Sequence, residues 1–150
     1  MSARSFLVAT ALAAAAWQPA FAGGPSDAVR FFYDDIGSET LPENRDLFIA
    51  RAREQLDANE RAEEGGEGAC VDFVMAIDAQ DYDEAEIART LTLSEAFSRG
   101  DAVVSAEFMV FGEPHLVQWI LMDEDGDDSW KVADIAAPNS GWRLSDMECE

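Results

Sequence analysis

The sequence is poor in the side chains that most often carry catalysis or bind metals. Its 150 residues include a single histidine, His115, and only two cysteines, Cys70 and Cys149. One imidazole leaves little basis for a Ser-His-Asp triad or a multi-histidine metal centre. The chain also lacks a Cys-x-x-Cys motif, a glycine-rich phosphate loop and a nucleophile elbow. We therefore predict no metal and no cofactor, and we name no catalytic residue.

Basic residues are scarce as well. Ten Lys and Arg residues stand against 31 Asp and Glu residues, which gives a formal net charge of −21. Nucleic acids and anionic membrane surfaces are bound through basic patches, so this balance argues against both as partners. The charge is compatible with simple solubility, and it is also compatible with an acidic face that docks a basic protein or binds cations.

Long apolar runs are absent except at the beginning of the chain. Arg4 precedes the apolar stretch Phe6–Ala16, and a small-x-small motif follows at residues 20–22. This pattern predicts a secretory signal peptide, and the stretch is shorter than the roughly 20 residues that span a bilayer. We expect cleavage after Ala22, export to the periplasm or beyond, and a single mature domain of residues 23–150 with a formal charge of −22.

Export also bears on the two cysteines. In an oxidising compartment the default expectation is one intramolecular disulfide between Cys70 and Cys149. That bridge would close a loop of about 80 residues and contribute roughly 4 kcal/mol in the chain-entropy model.

Helical periodicity dominates the first part of the predicted mature chain. An i, i+3, i+4, i+7 apolar pattern predicts a helix from about Asp27 to Ile36. Thr40–Glu43 resembles a capping box and predicts a second helix that continues to about Arg61. The apolar residues of the first helix are Val29, Phe32, Tyr33 and Ile36, and the buried side of the second carries Phe48, Ala52, Gln55 and Leu56.

In the later part of the chain the apolar residues recur at every second position, which is typical of β-strands. Cys70–Ile77 is apolar but of undetermined type, and residues 83–88 allow a short helical turn. Four alternating runs follow at about residues 89–97, 102–111, 116–122 and 130–135, and their short connections predict an antiparallel meander. The expected fold is α+β, with two N-terminal helices packed on a curved four-stranded sheet.

Strand alternation selects the residues that should face the helices. These are Leu91, Leu93, Glu95, Phe97, Val104, Ala106, Phe108, Val110, Val117, Trp119, Leu121, Trp130, Val132 and Asp134. The set includes two carboxylates, Glu95 and Asp134, and a desolvated carboxylate could act as a general base. The alternatives are that a bulge swings Glu95 into solvent and that Asp134 satisfies a backbone or arginine donor.

Three other features allow a functional interpretation and a structural one. Tyr33 could donate a hydrogen bond in a pocket or serve as a core tyrosine. His115 could be a base or an exposed residue beside a turn. The acidic segment Asp123–Asp128 invites a calcium interpretation, but the EF-hand register requires acids where Leu121 and Val132 stand, so a solvated hairpin turn is expected.

The order of these segments resembles a family of small bacterial exported proteins within the nuclear-transport-factor-2-like superfamily, which has a cystatin-like cone. The residues that carry the resemblance are Phe31–Ile36, Cys70–Phe73, Asp78–Asp81 and Trp130–Ile135. The resemblance implies a curved sheet wrapped around helices, with an open pocket. That superfamily contains isomerases, dehydratases, hydrolases and binding domains, and some exported members of such folds serve as immunity proteins.

We predict from these features an exported, non-enzymatic protein that binds a small molecule or a protein partner. Its site would be a cone mouth lined by Tyr33, Glu95, Trp119 and Asp134, or its acidic surface. The alternatives are a small isomerase, lyase or hydrolase that uses a pocket carboxylate, and an immunity or inhibitor protein that binds a basic partner through an acidic face. A homodimer is also left open.

Overall fold

Three helices precede a five-stranded antiparallel sheet in residues 23–148, which are the residues that the computed structural model describes. The predicted signal peptide and Cys149 lie outside this range. The helices are α1 (Pro25–Asp34), α2 (Ala50–Gly65) and α3 (Glu84–Thr90). The strands are β1 (Thr92–Ser98), β2 (Asp101–Val110), β3 (Glu113–Asp123), β4 (Trp130–Ala137) and β5 (Trp142–Arg143). Short 3-10 helices occupy Ser38–Thr40, Pro42–Leu47 and Leu144–Asp146.

The sheet is the predicted meander with one strand more than expected. Its spatial order is β1-β2-β3-β4-β5, and each neighbouring pair is antiparallel. The prediction of four strands is wrong because β5 contains only Trp142 and Arg143, which is too short to show an alternation. The α+β class is confirmed.

The inner face of the sheet forms the core with the helices. The predicted inward residues of β2 and β3 are all buried, as are Val29, Phe32 and Tyr33 of α1. Trp119 of β3 lies at the centre, with its ring stacked on Phe32 at a centroid distance of 4.9 Å. The alternation of side chains along β2 and β3 therefore predicted the core correctly, because each of these strands buries only one of its two faces.

The second predicted helix is interrupted. Instead of starting an α-helix, the Thr40–Glu43 segment passes from one 3-10 helix into another, and α2 begins only at Ala50. Phe48 is extended, fully buried and bridged to Val132 of β4. The Ile49 amide also donates to the Val132 carbonyl at 2.9 Å. Pairing with the sheet therefore overrides the local helical pattern at this point.

The short helix α3 agrees with the predicted helical turn. Asp83 is its N-cap, and its carboxylate accepts hydrogen bonds from the Ala85 and Glu86 amides at 2.9 and 3.2 Å. Ile87 is the one buried side chain of this helix. A helix of only seven residues gains little from its own hydrogen bonds, so the cap and the buried isoleucine hold it in place.

The sheet curls strongly at one end. Phe97 of β1 and Trp130 of β4 make an edge-to-face contact with ring centroids 6.0 Å apart, although two strands separate them. Strands about 4.8 Å apart would place β1 and β4 about 14 Å apart in a flat sheet. The small Ala102, paired with Phe97, leaves room for the two rings to approach over the inner face.

A β-bulge alters the alternation of β4. Leu121 pairs with Val132, but the next residue of β3, Ile120, pairs with Asp134, so Ala133 is the extra residue. Beyond the bulge, the odd-numbered Ile135 pairs with the buried Trp119. Asp134 therefore faces the outer side of the sheet, and the prediction that it shares a face with Trp130 and Val132 is wrong.

Candidate functional site

Two of the four predicted pocket residues meet in the core. The Trp119 indole donates to the Tyr33 hydroxyl at 3.3 Å, and that hydroxyl donates to the Ala76 carbonyl at 2.6 Å. Burial raises the pKa of Tyr33, so the phenol stays neutral. The pair is packed among aromatic rings, including Phe108 at a centroid distance of 5.6 Å from Tyr33. Its hydrogen bonds position the turn that contains Ala76 on α1 and the sheet.

Glu95 lies apart from this pair. Its side chain is exposed, and its Oε1 accepts a hydrogen bond from the Ser26 amide at 2.8 Å. Ser26 is in the first turn of α1, whose own N-cap residue, Gly24, makes no side-chain cap. A carboxylate at this position satisfies an unpaired amide and interacts favourably with the helix dipole. Glu95 thus replaces the missing cap from a distant strand.

Asp134 is buried on the outer side of β4, and both oxygens of its carboxylate accept hydrogen bonds. Its carboxylate accepts from the Ile135 and Ser145 amides at 2.9 and 3.0 Å, and from the Ser145 hydroxyl at 2.7 Å. The Arg143 guanidinium lies 2.7 Å from its Oδ2. The bulge therefore turns Asp134 into an anchor for the C-terminal segment. The structure does not bring it together with Tyr33, Glu95 or Trp119.

Sequence analysis missed a buried carboxylate, Glu39. It lies in the first 3-10 helix with 1% of its surface exposed, and its Oε1 accepts from the Ala76 amide at 3.1 Å. Burial raises the pKa of Glu39, and the Ala76 amide opposes that rise only in part. No local signal marks this residue, because Gly37-Ser38 before it suggests an ordinary helix end. Only the packing of this segment against residues 75–77 buries it.

His115 belongs to a small polar cluster at one end of the molecule. Its Nδ1 lies 3.9 Å from Oδ2 of Asp78, and its ring stacks on Phe108. Asp78 also accepts from the Trp142 indole at 2.6 Å and from the Ser140 hydroxyl. The Ser140 hydroxyl therefore bonds to the carboxylate and not to the imidazole, so these residues do not form a nucleophile activated by a base.

Two surface grooves flank these clusters. One, of about 280 Å³, includes Thr90, Phe108 and His115, and the other, of about 430 Å³, includes Trp142 and Met147. Neither is lined by any of the four predicted pocket residues. Both are open to solvent, unlike the enclosed clefts that bury most of a small ligand.

The acidic turn at residues 123–128 is stabilised by hydrogen bonds from its backbone amides to the side chain of Asp123. The Asp123 carboxylate accepts from the amides of Gly126, Asp127 and Asp128 at 2.9, 3.3 and 3.1 Å. These bonds account for the conformation of the turn without a bound cation. Within residues 23–148, no group of three or more His, Cys, Asp or Glu side chains is arranged to hold a metal ion. None of the helices described is long and apolar enough to cross a membrane.

Each of the two-residue hairpin turns begins with a large side chain whose backbone has a positive φ. Arg99 and Gly100 join β1 to β2 with φ of 55° and 94°, and Phe111 and Gly112 join β2 to β3 with φ of 49° and 82°. Positive φ at both positions defines a type I′ turn, which favours Asn, Asp or Gly first. A left-handed backbone costs a bulky residue about 1–2 kcal/mol. The predicted runs at residues 102–111 and 116–122 left a longer connection than the structure has, because Glu113 and Pro114 belong to β3.

No protein family model matches this chain, and no curated protein matches it. Among solved structures, it is similar to a chain of the type VI native effector-immunity complex Tae3-Tai3 from Ralstonia pickettii. The identity is 19%, the TM-score is 0.56, and the match covers 79% of this chain and 96% of that chain. The selenomethionine form of the same complex gives 17% identity and a TM-score of 0.53, over 77% and 93% of the two chains. Likeness at this level of identity shows a shared fold.

Proposed function

We propose that this chain is an exported immunity-type protein that binds and blocks a basic effector. The observation that carries the proposal is the shared fold, which extends over 96% of a chain taken from an effector-immunity complex. A protein in such a complex acts through contact with another protein. This interpretation narrows the prediction of a non-enzymatic partner-binding protein to one kind of partner.

The side chains favour the protecting role over the toxic one. One common kind of hydrolytic effector uses a serine or cysteine that a histidine activates, and the serine beside His115 and Asp78 is not arranged in this way. The Ser140 hydroxyl donates to Asp78, and the disulfide predicted for Cys70 would leave that residue without a thiol. The predicted signal peptide adds support, because a chain exported into the producer's own periplasm is well placed to protect that compartment.

Charge supports a basic partner. The predicted mature chain has a formal charge of −22, and opposite charge on a partner accelerates encounter and suppresses wrong complexes. Much of this charge lies in exposed helices and turns, where Glu54, Glu64, Glu84 and Glu124 are examples. The expected association is therefore fast and weakened by salt.

The other predictions remain open. A small-molecule site at Tyr33, Glu95, Trp119 and Asp134, and an enzyme that uses one of the carboxylates, both need a cavity that joins these residues. Membership of the nuclear-transport-factor-2-like superfamily, a homodimer and the Cys70–Cys149 disulfide also stay predictions. The mass of the denatured exported protein tests the disulfide, through the loss of two hydrogens, and also tests the predicted cleavage after Ala22.

The first experiment identifies the partner and then tests protection. Formaldehyde cross-linking of the tagged chain in its own host, followed by mass spectrometry, should yield an exported basic protein. That protein is then directed to the periplasm of a laboratory strain, where it should stop growth. The full chain should restore growth, whereas a matched control without residues 1–22 should not.

Two outcomes would count against the proposal. The first is a partner that is harmless in the periplasm, or whose toxicity the full chain does not relieve. The second is an affinity that is unchanged between 50 and 300 mM salt, because a complex of strongly opposite charges should weaken at least about tenfold over that range.

A further inference from the structure

The β2–β3 hairpin ends in an exposed aromatic residue that the fold does not require. Phe111 is 67% exposed, the largest value among the exposed large apolar residues described. It is also the first residue of the type I′ turn, with φ of 49°. An asparagine would relieve the backbone strain and give the sequence Asn-Gly, the preferred pair for this turn. The phenylalanine thus carries a conformational cost without gaining burial.

The tip is nonetheless rigidly held. The Gly112 amide donates to the Glu86 carboxylate at 3.1 Å, and the Met109 amide donates to the Thr90 hydroxyl at 3.0 Å. Both acceptors belong to α3, so the helix supports the turn from one side. Strands β2 and β3 are paired without a break from Val110 and Glu113 to Asp101 and Met122. A ring presented in this way loses little freedom when a partner binds it.

The hairpin carries acidic side chains and neither lysine nor arginine, and the α3 residue that contacts its tip is also acidic, although α3 also carries Arg89. No lysine or arginine occurs between Arg99 and Lys131, a stretch that contains the whole hairpin. Glu86 contacts the turn, Glu113 follows it, and Glu107 is exposed on β2. Basic groups around an apolar pocket would complement these carboxylates, and that is the charge that the proposed function gives to the effector.

We propose that Phe111 is the anchor of the partner-binding surface, and that its ring inserts into an apolar pocket with a basic rim on the effector. This inference rests on the proposed function and adds the location of the contact. Both hairpin turns retain backbone strain at an exposed residue, and the turn at Phe111 differs from the turn at Arg99 in presenting an aromatic ring. Aromatic anchors surrounded by polar groups commonly dominate the energy of protein interfaces.

The test uses two matched turns of the same chain. Phe111→Asn removes the ring and relieves the turn, and Arg99→Asn relieves the β1–β2 turn without touching Phe111. Phe111→Tyr retains a ring as a conservative control. Affinity for the purified partner is measured by titration calorimetry, and Tm is measured by circular dichroism. A photoreactive phenylalanine analogue at position 111 or at position 99 reports which tip touches the partner.

The expected result separates stability from binding. Phe111→Asn should raise Tm by about 3 °C and weaken binding by at least about 30-fold. Arg99→Asn should raise Tm similarly and leave the affinity within about threefold, because Arg99 lies at the other tip. Phe111→Tyr should bind within about tenfold of the wild type, and cross-links should form at position 111 and not at position 99.

The contrary outcomes distinguish a failure of the Phe111 anchor from a failure of the proposed function. If Phe111→Asn binds and protects as well as the wild type, the anchor is wrong while the proposed function stands. If cross-links are as frequent at position 99 as at position 111, the anchor is also wrong. If the wild-type chain neither binds an exported basic protein nor protects against one, both proposals fail.

Discussion

Asp134 should be among the most sensitive polar residues of the chain. The change Asp134→Ala removes an acceptor that serves the Ile135 amide and both the amide and hydroxyl of Ser145. It also removes the partner of Arg143. Asp134 is 6% exposed, so water replaces these bonds poorly.

The size of the effect follows from these contacts. A buried donor left without an acceptor costs about 1–3 kcal/mol, and here the Ile135 amide is the most buried of the donors. Ser145 is half-buried and can turn toward water, so its two bonds contribute less. The Arg143 side chain is 44% exposed, and an ion pair with such a partner adds little. We expect a total loss of about 3 kcal/mol, which lowers Tm by roughly 10 °C for a domain of this size.

The assay is urea unfolding at neutral pH, followed by circular dichroism. Arg143→Gln is the matched control, because it removes only the exposed partner and should cost less than about 1 kcal/mol. A loss of less than about 1 kcal/mol for Asp134→Ala, or equal destabilisation of the two variants, would contradict this expectation. Equal losses would mean that the ion pair dominates and the backbone bonds matter little.

Three further predictions concern other polar residues. Burial raises the pKa of Glu39 in the folded state, so the protonated side chain contributes stability that is lost as pH rises from the unfolded pKa through the folded pKa. The free energy of unfolding of Glu39→Gln, relative to that of the wild type, should therefore increase between pH 4 and pH 8. An equal difference between variant and wild type at both pH values would contradict this expectation. Tyr33→Phe leaves Ala76 without its donor and should lower the free energy of unfolding by about 1–2 kcal/mol in urea titration; no loss would show that water replaces the hydroxyl. Glu95→Gln weakens the cap on Ser26 and should cost about 0.5–1 kcal/mol, less in 1 M salt; a salt-independent loss would exclude the dipole interaction.

The core was predictable from sequence because its signals are local. Val29, Phe32 and Tyr33 repeat with a helical period, and the inward residues of β2 and β3 alternate without interruption. Each pattern reports a single element with one buried face, so it needs no knowledge of what lies opposite. The antiparallel order follows from the two-residue turns that join β1, β2 and β3.

The errors arose where distant segments decide the local structure. Phe48 leaves the predicted helix because Val132, 84 positions later, pairs with it. Asp134 changes faces because Ala133 is inserted opposite β3, and a bulge has no reliable sequence signature here. Glu39 is buried by the turn around Ala76. The predicted pocket depended on all four residues facing one space, and the bulge alone was sufficient to separate Asp134 from the others.

The bond from the Ser26 amide to Glu95 has a consequence for the order of folding. It joins residues 69 positions apart, whereas β1, β2 and β3 are connected by turns of two residues. Short loops close first and distant contacts close later. The first turn of α1 can therefore be capped only after β1 has taken its place in the sheet. Helix α1, which is synthesised before the rest of residues 23–148, should therefore become protected from hydrogen exchange among the last.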